Sequence, residues 1–239
     1  MDSQKIKSKI KRLSKEFNFH YKSEWFKHLW ISKKENILTE YIWMCPDPVY
    51  TKYGKIPSER IDNIKKFIDS DEFQSLTNRY GGQVIERKSF NQFFLKRINS
   101  IKDKKIMKEC SKIYKKIKNA IRGRANIAIL TKTSKKKEEE FVTKFILMHE
   151  WIHILLFKNK ISFKKYNGKY WQYDEGLCTF CEGFLGNSLD KLEDKAEKMK
   201  YPMEKQYYIY AIKFRDLLKN EREPEKRKKI ILKLKDKLK

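Results

Sequence analysis

"FILMHEWIHILLFK", residues 145–158, decides how this chain is read. Its apolar residues run almost all the way round a helix, the pattern of a helix buried in a core. Yet it carries His149, Glu150 and His153, and the chain has only 4 histidines in all. Polar side chains in an apolar setting are costly unless something satisfies them. Two side chains four positions apart project from one helix face, about 5–6 Å apart at Cβ. That spacing lets two imidazoles hold one Zn²⁺, at about 2.0–2.1 Å each. Glu150 then points toward the open side of the ion, where a carboxylate can serve as general base for a water that the ion activates.

Zinc needs a third protein ligand. No histidine follows His153, so every pattern completed by a later histidine is excluded and a carboxylate is expected. The best placed is Glu175 in "YDEGLCTF" (173–180). Asp174 is the neighbouring alternative and Glu182 a poorer one. The Asp174-Glu175 pair also reads as a helix cap with a first-turn acid. Gly176, which has no Cβ, allows a close backbone approach.

"HEWIH" (149–153) followed by "DEGLCTF" (174–180) resembles the gluzincin zinc metallopeptidases. In that group an HExxH helix is followed further along by a helix opening with Glu-Gly, a layout shared by the minigluzincins and the thermolysin-like enzymes. The resemblance covers 126–186 and at its widest 80–215. It implies a zinc metallopeptidase acting on peptide or protein substrates. One Zn²⁺ per chain would be held by His149, His153 and Glu175, with Glu150 as the general base. It also implies that the strand at 126–132 is a sheet edge along which an extended peptide pairs. Thermolysin-like enzymes carry a catalytic tyrosine nine residues before the ligand glutamate, and Tyr166 stands there. That residue is the expected donor to the oxyanion, with Tyr170 and Tyr173 in the same loop. One position departs from the pattern. Where the family often has an acid four residues after the ligand glutamate, orienting the first histidine, this chain has Thr179. Thr179 itself or Asp174 is the substitute.

Cys178 and Cys181 form a CxxC. No second ligand pair accompanies it, since Cys45 and Cys110 are isolated, and no βαβ setting suggests redox chemistry. They read as small core residues facing the zinc helix. His20 and His28 lie among aromatics and charges and read as packing or surface residues.

The chain has 239 residues, 40% hydrophobic and 14% aromatic, enough for a real core. No apolar run reaches the ~18–20 residues of a membrane-spanning helix. The N-terminal "MDSQKIKSKIKRLSKEF" has no apolar stretch of the secretory kind, so reduced thiols in a cytoplasm are expected. The formal net charge is +26. Such a field attracts polyanions, and the alternative reading is a basic nucleic-acid-binding protein with a structural or vestigial zinc site. The lysines are dispersed along the chain, which favours a solvated surface over a dedicated patch. Nothing in the sequence sets the oligomeric state.

Three regions are expected: a basic, aromatic-rich, mainly helical region 1–79, a metallopeptidase-like domain 80–215 with its core at 126–186, and a basic C-terminal helix 216–239. Helices are read over 58–73 (capped by Ser58), 99–121, 136–158, 174–187 and 201–219. The stretch 37–44 reads as strand or helix end. "QVIER" (83–87) and "NIAILTKT" (126–133) read as strands, the latter alternating and β-branched. The fold class is α+β and predominantly helical. A small sheet, its edge strand packed on the zinc helix, and a second, glutamate-bearing helix are flanked by basic helices.

Overall fold

The computed structural model describes residues 3–44, 82–85, 90, 94–101, 104–121, 126–132, 135–163, 170–199 and 202–238. The break expected at 45–57, the helix capped by Ser58, Cys45 and Tyr166 lie outside the described residues. In chain order the elements are α1 (Ser3–Glu16), β1 (Lys27–Ile31), α2 (Lys33–Met44), β2 (Gly82–Ile85), α3 (Leu95–Ser100), α4 (Lys104–Ala120) and β3 (Ile127–Thr131). They continue with α5 (Lys136–Phe141), α6 (Leu147–Lys158), α7 (Trp171–Leu185), α8 (Leu192–Lys198), α9 (Pro202–Leu218) and α10 (Pro224–Lys237). A π-helical stretch, Val142–Ile146, joins α5 to α6, so the helix expected over 136–158 is continuous. The described residues are mostly helical with one small mixed sheet, the expected α+β class.

The chain divides into two compact units, Glu24–Leu147 on the one hand and Met1–Ser23 with Met148–Lys239 on the other. This grouping follows contacts through space. The division at residues 79 and 215 follows the reach of the resemblance along the sequence.

In the unit Glu24–Leu147 three strands form a sheet in the order β1-β3-β2. β3 pairs in parallel with β1, Lys27 opposite Ile127, and antiparallel with β2, Gly82 opposite Leu130. The expectation of an edge strand at 126–132 is therefore corrected: β3 is the central strand of this sheet. The residues explain why. "IAILT" does not alternate in burial, for all five positions are buried. A strand laddered on both sides and covered on both faces selects such a continuous apolar run. Around the sheet, Cys110, Ile113, Tyr114 and Ile117 fall on one stripe of α4 and join Leu38, Ile42 and Phe94 in a common core. The stretch 37–44 belongs to α2 and is helical. α2 opens with a reciprocal capping box. The Glu35 amide donates to Ser32 Oγ at 3.1 Å, and the Ser32 amide donates to Glu35 Oε2 at 2.7 Å. Strand β1 was not foreseen. Its burial is graded rather than alternating, and its partner lies far along the chain, so tertiary pairing outweighs a weak local signal.

In the other unit α1 presents Ile6, Ile10 and Leu13 from one face, all fully buried. Phe17, just beyond α1, meets Phe180 and Phe184 of α7 at ring distances of 6.0 and 5.4 Å. The guanidinium of Arg227, on α10, donates to the Glu16 carbonyl at 3.2 Å and to its carboxylate at 3.1 Å, tying the last helix to the first. α7 packs along α9, and the contact is close enough to dictate a glycine. A Cβ at Gly176 would sit 2.2 Å from Tyr210 Cβ and 3.0 Å from the Tyr210 carbonyl carbon. α7 stops at Gly186-Asn187, where expected, with Asn187 left-handed at φ 50°.

Candidate metal centre

His149 and His153 stand one turn apart on α6, with ring centroids 4.7 Å apart and planes at 77°. The residues between and beside them, Trp151, Ile152, Ile154 and Leu155, are fully buried, so the helix is locked in place on both sides of the pair. The two Nε2 atoms face each other at 3.1 Å. Glu175 reaches both from α7: its Oε2 is 3.1 Å from His149 Nε2 and 3.3 Å from His153 Nε2. Three donor atoms from two helices thus form a nearly equilateral triangle. The histidine side chains are 20% and 18% exposed, and that of Glu175 18%, so solvent reaches the edge of the cluster without flooding it. Glu150, on the same helix, is 7% exposed.

The paired acids 174 and 175 do different work. α7 begins a turn before them, at Trp171, so Glu175 is no cap. Asp174 turns the other way. Its carboxylate accepts the Phe163 amide at 2.7 Å and the Ser162 hydroxyl at 3.2 Å, fastening the segment after α6 onto α7. Both of its carboxylate oxygens are engaged there, and Asp174 is outside the metal-binding group.

Glu182, the poorer alternative ligand of the sequence reading, meets His149 from the other side of its ring. Its Oε2 lies 3.4 Å from His149 Nδ1, the ring nitrogen turned away from the triangle. Glu182 follows Glu175 by two helical turns and shares its face of α7. Thr179 is buried. Cys178, one turn after Glu175, is on that face too, and its thiol donates to the His149 carbonyl at 3.2 Å. His149, His153 and Cys178 form a group that could hold a metal ion, with ligand atoms all within 4.8 Å of one another. Cys178 is a buried core residue, as the sequence indicates, and it also belongs to this group, which the sequence reading did not include. The available signal was the i, i+3, i+7 alignment of Glu175, Cys178 and Glu182. Cys181 is buried and outside the group.

The electrostatics follow from this crowding. Burial disfavours charged His149, but the Cys178 sulfur, the Glu182 carboxylate and a hydrogen bond to Glu175 outweigh it and hold its pKa well above the usual histidine value. His153 is likewise disfavoured by burial and likewise raised, by Cys178 and Glu175. Burial would raise Glu175, yet charged His153 and hydrogen bonds from both imidazoles press it well below the usual carboxylate range. Tyr208 of α9 is raised by burial and by the carboxylates of Glu182 and Glu204, with His149 acting in the opposite sense.

Of the other expected residues, Tyr166 lies outside the described residues. Tyr173 is committed to packing, its ring 5.4 Å from Phe163 and 4.6 Å from Tyr210, with Tyr170 6.1 Å away. His20 exchanges hydrogen bonds with Asn159 through its backbone. His28 sits against Trp30 on β1. Neither joins the metal-binding group. Comparison with protein-family models, with curated proteins and with solved structures finds no match to this chain.

Proposed function

We propose that the chain is a zinc-dependent peptide hydrolase of gluzincin type, with one Zn²⁺ held by His149, His153 and Glu175. The observation that carries this reading is the donor triangle. Ligand atoms at about 2.0–2.1 Å around a tetrahedral ion stand about 3.3 Å apart. The three atoms here are separated by 3.1, 3.1 and 3.3 Å, a set that already fits an ion of that size. Two imidazoles with one carboxylate favour zinc over magnesium or calcium, which prefer all-oxygen shells. Three protein ligands leave the fourth position free, the hallmark of catalytic rather than structural zinc.

When bound, the ion supplies a Lewis acid that polarises a carbonyl and brings the pKa of water toward ~7. The chain supplies the rest. Glu150, largely buried and adjacent to His149, takes the proton from the attacking water and returns it to the departing amine. Glu182 at His149 Nδ1 fixes the ring so that Nε2 faces the centre. A tyrosine donor to the oxyanion belongs to the proposal as Tyr166.

The test has two arms. Elemental analysis should find about one zinc per wild-type chain and a loss of it in His153→Ala. Glu150→Gln should retain zinc and lower hydrolysis of unstructured peptides by roughly 10²–10⁴-fold, the usual contribution of a positioned general base. A folded wild-type chain that takes up no zinc defeats the reading, as does a Glu150→Gln protein of undiminished activity.

A second reading is favoured by one observation, the net charge of +26. It makes the chain a nucleic-acid-binding protein in which the metal is structural. Zinc held with no hydrolytic activity, together with salt-sensitive DNA or RNA binding, would favour it.

A further inference from the structure

We propose that Cys178 is a fourth, displaceable ligand of the same centre, so that the ion has an open and a closed coordination. The inference rests on the metal reading above and concerns a residue outside its ligand set. Glu175 and Cys178 are one turn apart on the same face of α7, and both reach the two histidines of α6. The sulfur lies within 4.8 Å of both histidine ligand atoms, yet it donates to the His149 carbonyl at 3.2 Å. In that position the centre has three protein donors. Zinc–sulfur bonds are about 2.3 Å, a little longer than zinc–nitrogen bonds. A modest swing of one short side chain therefore exchanges the carbonyl for the ion. The thiol gives its proton to solvent, the hydrogen bond to the His149 carbonyl is given up, and a bond from sulfur to the ion forms. The ion then has four protein donors, as in closed structural zinc sites, and the water position is gone. The added thiolate also shifts the site's preference toward soft divalent ions.

Buried position favours this role over general thiol chemistry. Cys178 is fully buried, so no large reagent or partner protein competes for it. Cys181, one turn further, serves as the internal control, for it is equally buried and stands outside the group.

Co²⁺ substituted for Zn²⁺ reads the two states directly. A tetrahedral cobalt centre absorbs in the visible, and a thiolate ligand adds a sulfur-to-cobalt charge-transfer band in the near ultraviolet. The full-length wild-type chain loaded with Co²⁺ should show both. Cys178→Ser should keep the visible bands and lose the charge-transfer band, Cys178→Ala should do the same if the serine variant misfolds, and Cys181→Ser should keep both. Visible bands in the wild type without charge transfer, or a charge-transfer band that survives Cys178→Ser, would overturn the proposal and leave the histidine–glutamate centre intact. A folded wild type that binds no Co²⁺ would remove the centre and the fourth ligand together.

Discussion

At the scale of single residues, the histidine pair is set by α6, and Glu175, Cys178 and Glu182, which tune it, come from α7. Glu182 at His149 Nδ1 is the test of that division. A carboxylate in this place keeps the ring turned and the facing nitrogen basic, and losing such a partner typically costs 10–100-fold in metal affinity. Glu182→Gln should therefore weaken zinc binding by about that factor, measured by competition with a chelating dye, while leaving the fold unchanged. The pH response follows from the same cluster. In the metal-stripped protein the raised histidines contribute stability that is complete below their unfolded value of about 6.5 and is lost as pH rises through their folded values. Glu175 is depressed, so its contribution is present above about 4.5 and is lost as pH falls through its lower folded value. Zinc requires neutral imidazoles, so its binding releases protons and strengthens as pH rises. Thermal melts from pH 6 upward should show the stripped protein losing Tm while the zinc-loaded protein gains on it. Parallel curves would mean that the histidines carry no coupled proton.

At the scale of elements, the site depends on how α7 is held. One side of α7 carries Glu175, Cys178 and Glu182. The other is pressed on α9 at Gly176, where a Cβ would lie 2.2 Å from Tyr210 Cβ with the Tyr210 backbone close behind. Backbone cannot swing aside as a long side chain can. Gly176→Ala should cost about 1–3 kcal/mol or more, the range for overpacking a tight interior contact, and should lower metal affinity as Glu175 is displaced with its helix. Thermal unfolding and zinc titration of the same variant check both. A variant as stable as wild type would show that α7 and α9 do not meet this closely. The Asp174 clasp on Phe163 acts on the same helix from its start, and Asp174 is buried, at 5% exposure. Which of two adjacent acids would face the histidine pair was not legible in the sequence, because both readings suit the opening of a helix. The rotation of α7 about its axis settles it.

At the scale of the whole molecule, the charge is the dominant fact. With 57 basic against 31 acidic residues, the chain carries a positive field whatever its site does. Binding to a DNA or RNA duplex through such a field should weaken linearly in log affinity against log salt, with a slope near 0.9 per phosphate neutralised. Filter binding across salt concentrations measures it. Affinity that ignores salt would speak for a specific site and against the field. None of the helices in the described residues is long and apolar enough to cross a membrane, in line with the sequence reading.

By itself the sequence determined what depends on neighbours along one element. Two histidines at i and i+4 share a face in any helix, the stripe of α4 is legible as periodicity, and the β-branched residues of 126–133 identify a strand. The tertiary structure alone decided what depends on how elements meet. It put β3 between two strands, although a continuous apolar run says only that a strand is covered. It made a strand of 27–31, whose partner is distant in sequence. It turned Glu175 inward and Asp174 away, set Glu182 behind His149, and brought Cys178 within reach of the histidines. The physical reason is the same in each case. Spacing within a helix is fixed by its own hydrogen bonds, whereas the rotation and register of one helix or strand against another are fixed by packing between residues far apart in the chain.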